Sequence, residues 1–408
     1  MRIGILTWWK NANYGGCLQG IALQRHISKI YAGVKLLDYE PLQSDLRWWQ
    51  DCLPRDFFKD IKKLCRLESL KVLLRATIIL FFQAYKTFTV LRIINTRRFL
   101  NQYAIKTDVH YLSEQQLNKQ NEVDAIIVGS DQVWNPGSFC VDKGYLLANM
   151  PSTTSRIAYA PSIAAESIDG YENIFSEALK GFSAISVREK SGVSLLQRVS
   201  HRRIKWVVDP TLLLSSSEWL SMLKIRSRNS SRVFMYWLSN PVDICSDIKR
   251  FSDNNRCEID LFVDMKSFTL PLFNLRSCAK VLFNYWRSIL DVVSCRRVHV
   301  CKHLGPKGFI KKISSCSYVI TNSYHGLLFG LIFRKPIKII INKERKLMAS
   351  RIIDLLERIG VDITPEDVFN ADTDLKRNII VMNNDAETKL QNWILESKLW
   401  LKEALQEL

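Results

Sequence analysis

The sequence predicts an α/β protein made of two successive open, parallel, doubly wound units with one ligand cleft between them. Three observations lead there. The 408 residues, 47 % apolar, are enough for two cores and long for one. Short apolar runs alternate with stretches of helical periodicity. Several of those runs end in small polar residues, as parallel strands do where they open into ligand loops.

Met1 to Trp8 reads as a strand, Asn11 to Gly16 as a glycine-containing loop, Cys17 to Ile30 as an amphipathic helix and Val34 to Tyr39 as a second strand. This β-loop-α-β opening begins a doubly wound domain, and it lacks the G-x-G-x-x-G of a dinucleotide site. Residues 42–117 break the rhythm and read as a helical insertion. Its longest apolar run, Ala76 to Phe82, is far too short to span a bilayer. Strands resume at Val123 to Val128, Arg156 to Ala160, Ala184 to Val187 and Lys205 to Val208, with a helix at Tyr171 to Gly181. Asp209-Pro210 is a turn signal that closes a first domain of residues 1–215. A second domain, residues 232–380, takes strands at Val233 to Leu238, Ile259 to Val263, Arg297 to Val300, Tyr318 to Ile320 and Ile337 to Ile341. Its helices are Phe309 to Ser315, His325 to Phe333 and Arg351 to Ile359, and residues 384–408 form a terminal helix.

The net charge of +18 suits an anionic partner: nucleic acid, anionic lipid or an anionic small substrate. Without a helix-turn-helix, finger or aromatic-basic RNA signature, nucleic acid is set aside. Much of the charge falls in Lys59 to Arg98, interleaved with Leu, Ile and Phe. That segment reads in two ways. It is a basic helix lying on an anionic membrane through Lys71, Arg75, Lys86, Arg92, Arg97 and Arg98, or a core-packing helix with its charges in water. The ten cysteines form no C-x-x-C pair and the chain opens directly on a strand, so reduced thiols in the cytoplasm are expected. Cys295, His299, Cys301 and His303 cluster, but their spacing fits no common zinc site and the stretch reads as a strand. No metal or cofactor is expected.

Tyr318 to Gly326 carries the strongest chemical signal. An apolar strand runs into Thr321-Asn322-Ser323 and then into a helix opening at His325-Gly326. A helix start offers free N–H groups, here those of Gly326 and Leu327, and a partial positive charge to an anion. His325 beside it can give or take a proton near neutral pH. The plain alternative is a capping turn with a buried structural histidine.

These segments resemble a known family. Asn13-Tyr14-Gly15-Gly16-Cys17-Leu18-Gln19 is similar to the N-Y-G-x-x-L-Q opening of polysaccharide pyruvyl transferases, and Val128 to Asn135 to their G-S-D-Q-V-W-N segment. Ala158 to Ser162, Ser186 to Glu189, Asp209 to Thr211, Thr321 to Gly326 and Ser350-Arg351 follow in the family's order. The resemblance is weakest over Pro41 to Lys106 and beyond Gly360. It implies a GT-B-like fold of two Rossmann-like domains facing across a cleft. It also implies phosphoenolpyruvate as donor, whose enol carbon is placed on two sugar hydroxyls of a lipid-linked or polymeric surface glycan as a ketal. Family members often carry arginine at the position held here by Ser323.

Ketal formation needs a proton for the methylene carbon, a held hydroxyl and neutralised anions. His325 is the expected acid–base group. By resemblance Arg188 is the anion-binding arginine, with a fork suited to carboxylate or phosphate. Ser323, Gly326, Leu327 and Arg351 join it on the donor side, with Lys335 a weaker candidate. Asp131 orients or deprotonates the acceptor hydroxyl, or is a turn aspartate bonding its own loop. Asn13, Tyr14 and Gln132 suit sugar hydroxyls, and Trp134 either stacks on a sugar or sits in the core. Asp209 is expected to be structural. The competing readings are a glycosyltransferase using a nucleotide sugar in the same cleft, and a noncatalytic factor binding anionic glycan or lipid.

Overall fold

The structure is a computed structural model that describes residues 1–10, 13–40, 91–136, 143–226, 228–238, 242–263, 295–301, 304–341, 346–362, 365–366 and 368–408. The first lobe is a parallel sheet of β1 (Ile3–Leu6), β2 (Lys35–Tyr39), β3 (Lys106–Tyr111), β4 (Ala125–Val128), β5 (Ser155–Ala158), β6 (Ala184–Val187) and β7 (Ile204–Trp206). Its spatial order is β3-β2-β1-β4-β5-β6-β7. The second lobe holds β8 (Val233–Trp237), β9 (Ile259–Val263), β10 (Val298–Val300), β11 (Tyr318–Thr321), β12 (Ile337–Ile339) and β13 (Ile379–Ile380). Their order is β10-β9-β8-β11-β12-β13, with β13 antiparallel. The strand order reverses between β1 and β4 in one lobe and between β8 and β11 in the other. Open α/β sheets bind ligands at such points, beyond the strands' C-terminal ends. This is a GT-B-like α/β architecture.

The strands β1 and β4 are apolar throughout and wholly buried, as expected where helices cover both faces of a parallel sheet. Helix α1 (Tyr14–Ile27) follows β1 and is buried on nearly every side. One core runs through both lobes, joining Ile5, Leu18 and Ile127 of the first to Phe234, Phe309 and Leu327 of the second. The terminal helix, Asn384–Gln406, returns to the first lobe. There Trp393 Nε1 donates to the Trp206 carbonyl at 3.4 Å, and Val208 N donates to Ser397 Oγ at 3.1 Å.

Several boundaries differ from expectation. Helix α1 begins at Tyr14, not Cys17, because Asn13 caps it with Oδ1 accepting from Gly15 N at 3.1 Å. Strand β3 and α2 (Glu114–Asn118) lie where a helical insertion was expected. The edge position explains the miss: most β3 side chains face solvent, so little hydrophobic alternation marks it. Residues 91–103 are helical, whereas Lys71, Arg75, Lys86 and the run Ala76 to Phe82 lie outside the described residues. Arg92 is not a lipid-facing residue: it is buried, over the rings of Tyr14 and Phe262. Among the described residues no helix is long and apolar enough to cross a membrane, and none of their His, Cys, Asp and Glu form a metal-holding group. His299 instead faces Glu258 at 3.4 Å, and His303 lies outside the described residues.

His26, on the buried side of α1, makes the fold sensitive to pH. Burial first, then Lys398 and Lys29, lowers its pKa from 6.5 to about 4. The unfolded imidazole therefore takes up a proton at a higher pH than the folded one. Stability from keeping His26 neutral is full above pH 6.5 and is lost as pH falls toward about 4, by on the order of 3 kcal/mol. His26→Gln should flatten this window in urea unfolding at pH 7 and pH 4.5. Parallel curves for parent and variant would reject the assignment.

Candidate active site

The end of β11 is built to present a histidine. Thr321 Oγ1 donates to the Tyr236 carbonyl at 2.7 Å and accepts from Ser323 N at 3.0 Å. Ser323 then caps the helix Tyr324–Ile332, with its Oγ accepting from Gly326 N at 3.4 Å. Gly326 is required here, since a Cβ would collide with Thr321 Oγ1. His325, in the first turn, reaches across to the other lobe. Its ring lies against Gly15, where an added Cβ would collide with Nδ1.

Opposite it, the C-terminal ends of β4, β6 and β7 supply the charges. Arg188 follows β6 and is 1 % exposed; its Nη1 donates to Asp209 Oδ2 at 2.9 Å and to Ser130 Oγ at 3.2 Å. Its Nη2 lies 4.0 Å from Asp131 Oδ1, and its Nε 3.9 Å from Glu189 Oε2. Asp209 also accepts from Thr211 N at 3.0 Å and Thr211 Oγ1 at 2.8 Å, and lies 3.7 Å from His325 Nε2. Burial alone would raise the Asp209 pKa, but His325, Arg188 and the Thr211 amide outweigh it and hold the carboxyl well below the usual range.

Two guanidinium groups lie over the Tyr324 ring, Arg188 at 5.2 Å and Arg351 at 5.6 Å from its centre. Burial, then repulsion from Arg188, lowers the Arg351 pKa to about 10. Arg351 has no hydrogen-bonding or ion-pairing acceptor among the described residues, and its Nε is buried and unpaired. Asp131 Oδ2, Arg188 Nε, Glu189 Oε2 and His325 Nε2 are likewise buried without hydrogen-bond partners. Native interiors leave few such atoms, and here they share one locus. Backbone strain gathers beside them, with positive φ at Asp131 (77°), Ala160 (60°) and Ala164 (45°).

The structure thus brings His325, Arg188, Arg351 and Asp131 together and gives several other expected site residues internal roles. Gly326 N is taken by the Ser323 cap and Leu327 N by the Ser323 carbonyl at 3.0 Å, so neither is free for an anion. Tyr14 is buried among Phe262 and Phe309, and its hydroxyl donates to the Leu304 carbonyl. Trp134 is a core residue, donating from Nε1 to the Tyr145 carbonyl at 3.0 Å and packing on Phe175 and Phe182. Asn13 is the α1 cap, and Gln132, partly exposed, donates its N–H to Asp131 Oδ1 at 2.9 Å. Lys335 precedes β12, which runs parallel to β11, and so lies at the sheet's opposite end. Asp209, Glu189 and Tyr324 were the residues missed. Their polar or ionisable chemistry adjoins recognised motifs, but nothing local says that they meet.

The sequence profile of the family described as polysaccharide pyruvyl transferase matches residues 13–342. The chain belongs to this family. No curated protein matches it. Among solved structures, the UDP-GlcNAc 2-epimerase of Methanocaldococcus jannaschii is similar at 11 % identity and TM-score 0.45, covering 97 % of this chain and 99 % of that one. The UDP-GlcNAc 2-epimerase of Neisseria meningitidis, bound to UDP-GlcNAc, gives 9 %, 0.41, 99 % and 94 %. The ADP-heptose lps heptosyltransferase II of E. coli gives 12 %, 0.32, 98 % and 100 %. Likenesses this distant do not bear on the reaction. Within the region matched by the pyruvyl transferase profile, the motifs around Gly15, Ser130, Ala160, Arg188, Asp209 and His325 converge from separate strand ends on this one seam.

The contact between Gly15 and His325 can be tested without a substrate. Gly15→Ala should destabilise the protein by about 1–3 kcal/mol through overpacking. Most of that loss should vanish when His325 is also alanine. Urea unfolding of parent, both single variants and the double variant measures the coupling. Additive losses would mean that the ring does not rest on Gly15.

Proposed function

We propose that this pyruvyl transferase uses phosphoenolpyruvate as donor and joins its enol carbon to two hydroxyls of a glycan acceptor as a cyclic ketal. The observation that carries the reading is the pair Arg188 and Arg351 over the Tyr324 ring, with Arg351 Nε buried and without a hydrogen-bond partner. An unpaired buried guanidinium is costly, and a small anionic ligand relieves that cost. Phosphoenolpyruvate offers a carboxylate and a phosphate to the two cations.

In this reading both C–O bonds form at the central carbon. The C–O bond to phosphate breaks, and the methylene carbon gains a proton to become methyl. The two hydroxyl protons balance that gain and the release of hydrogen phosphate. His325 moves the proton between hydroxyl and methylene carbon. Its position on the second lobe, with the ring on Gly15, fixes it over the first-lobe charges. Asp209 neutralises Arg188 and attracts the imidazolium form of His325. Asp131, with Oδ2 unpaired, is the group offered to an acceptor hydroxyl. The acceptor is a lipid-linked or polymeric surface glycan met on the cytoplasmic side, where exposed Arg97 and Arg98 give a reversible contact with anionic lipid.

His325→Ala should lower turnover of labelled phosphoenolpyruvate with an extracted glycan pool by about a hundredfold to ten-thousandfold while the circular dichroism spectrum is kept. A folded variant within about threefold of parent would remove His325 from proton transfer. Transfer from labelled nucleotide sugars instead of phosphoenolpyruvate would turn the reading toward a glycosyltransferase.

Arg188→Lys keeps the charge and loses the fork that spans Asp209 and ligand, so phosphoenolpyruvate affinity should fall about tenfold, and Arg188→Ala should fall further. Calorimetric titration of the three proteins gives the answer. Equal affinities would show that Arg188 serves only the Asp209 pair.

A further inference from the structure

Asp131 stands in a backbone conformation that few residues with a side chain adopt. Its φ is 77°, in the left-handed region, where Cβ crowds a neighbouring carbonyl. Such a residue persists where its surroundings over-determine it. The two peptide groups that flank Asp131 are each held by one hydrogen bond. The Asp131 carbonyl, in the peptide after it, accepts from Ser162 N at 2.8 Å. The Ser130 carbonyl, in the peptide before it, accepts from the Thr7 hydroxyl. Turning that carbonyl away is the same motion as changing φ of Asp131.

Thr7 directly follows β1 and is buried. Because Leu6 pairs with Val128 of β4, Thr7 stands beside Gly129, where an added Cβ would lie 3.1 Å from Thr7 Cβ. The Thr7 hydroxyl has one proton to give, and Gln19 of α1 decides where it goes. Gln19 Nε2 donates to the Gly16 carbonyl at 2.8 Å and to Thr7 Oγ1 at 2.8 Å. The Gly16 carbonyl can only accept, so the amide nitrogen has to face it; turning the amide over would set two oxygens against each other. Both Nε2 protons are thereby spent. Thr7 Oγ1 accepts from Gln19, and its own proton is left for the Ser130 carbonyl. A chain of fixed direction thus runs from α1 to the peptide that sets Asp131.

The Asp131 carboxylate shows the result. Its Oδ1 accepts from Gln132 N at 2.9 Å, and its Oδ2 is buried without a hydrogen-bond partner. The same segment is anchored on the charged side, where Ser130 Oγ donates to Asp209 Oδ2 at 3.1 Å and accepts from Arg188 Nη1 at 3.2 Å. We propose that Gln19 and Thr7 are positioning residues for Asp131: by committing the Thr7 proton to the Ser130 carbonyl, they hold the left-handed turn that leaves Asp131 Oδ2 free for an acceptor hydroxyl. The inference rests on the acceptor reading of Asp131 only for its consequence in transfer, not for the geometry.

The test uses the full-length chain made by cell-free synthesis, with isotope-labelled aspartate carbonyls and glutamine and tyrosine nitrogens. The pairs Asp131-Gln132 and Asp38-Tyr39 each occur once in the chain, so carbonyl–nitrogen correlation gives a single amide signal for Gln132 and another for Tyr39. The first reads the bond to Asp131 Oδ1, and the second, from β2 of the same sheet, is the reference. Thr7→Val removes the hydroxyl at nearly constant shape, and Thr7→Ser keeps it. In Gln19→Glu a carboxylate draws the Thr7 proton away from Ser130. Hydrogen exchange at Gln132 should quicken at least about tenfold in Thr7→Val and in Gln19→Glu, with Tyr39 unchanged, and Thr7→Ser should stay within about twofold of parent. Transfer from labelled phosphoenolpyruvate to the extracted glycan pool should fall at least about tenfold in Thr7→Val and recover in Thr7→Ser, while calorimetric affinity for phosphoenolpyruvate stays within about threefold. A folded Thr7→Val protein with parental Gln132 exchange overturns the proposal, and parental exchange in folded Gln19→Glu rejects the part given to Gln19. Equal quickening at Gln132 and Tyr39 also overturns it, since the chain would then be a general tie between α1 and the sheet. If Gln132 responds alone while transfer keeps its parental rate, the positioning stands and the acceptor reading of Asp131 fails.

Discussion

The buried contact between Arg188 and Asp209 is the constraint on which the seam depends. Both groups are almost wholly out of water, where an ion pair survives only if its remaining hydrogen-bonding capacity is met. Asp209 meets it through Thr211 N, Thr211 Oγ1 and Ser130 Oγ, with His325 nearby. Those partners come from the end of β4, the turn after β7 and the start of a second-lobe helix. Removing any one would leave a charged group short of a partner in a low-dielectric setting. The pair therefore fixes the relative positions of three strand ends.

Close approach of the lobes follows from side chains that are absent. At Gly15 the missing Cβ makes room for the His325 ring, and at Gly326 it lets the helix start lie against Thr321. The backbone N–H groups at that helix start are then consumed internally, by Ser323 and the helix itself. The cationic groups left at the seam are guanidinium groups rather than a free helix start. A further hydrogen-bonded chain, from Gln19 Nε2 to Thr7 Oγ1 at 2.8 Å and on from Thr7 Oγ1 to the Ser130 carbonyl, ties α1 to the ends of β1 and β4. This gives a physical reason for glutamine at the end of the opening motif.

The sequence made the buried strands legible because their apolar runs are bounded by turn residues. Ala184–Val187 and Ile259–Val263 lie where periodicity put them. It did not reveal β3, whose edge position leaves it largely polar, nor the start of α1, because two glycines read as loop while the Asn13 cap draws them into the helix. At the site, ionisable chemistry in strand-end loops pointed to His325, Arg188 and Asp131. It misassigned Tyr14 and left Trp134 open, because an aromatic residue beside a motif looks the same whether it faces a sugar or the core. Their buried hydrogen bonds to the carbonyls of Leu304 and Tyr145 decide the matter, and those carbonyls are distant or unmarked in sequence.

Ser323 shows how one position can change the origin of a charge without emptying the site of charge. The family resemblance leads one to expect arginine at this position. In this chain the serine is a helix cap, satisfying Gly326 N and leaving no cation on that turn. The second guanidinium over the Tyr324 ring, beside that of Arg188, is instead that of Arg351, delivered by a separate helix. A cation on the histidine's own turn moves rigidly with the histidine. A cation on another helix depends on how that helix is docked. The burial of Arg351 lowers its pKa only to about 10, so it stays charged at neutral pH, and its charge is present whenever the docking holds. In the proposed reading, anion affinity would then be a property of the contact between lobes and not of the histidine loop alone.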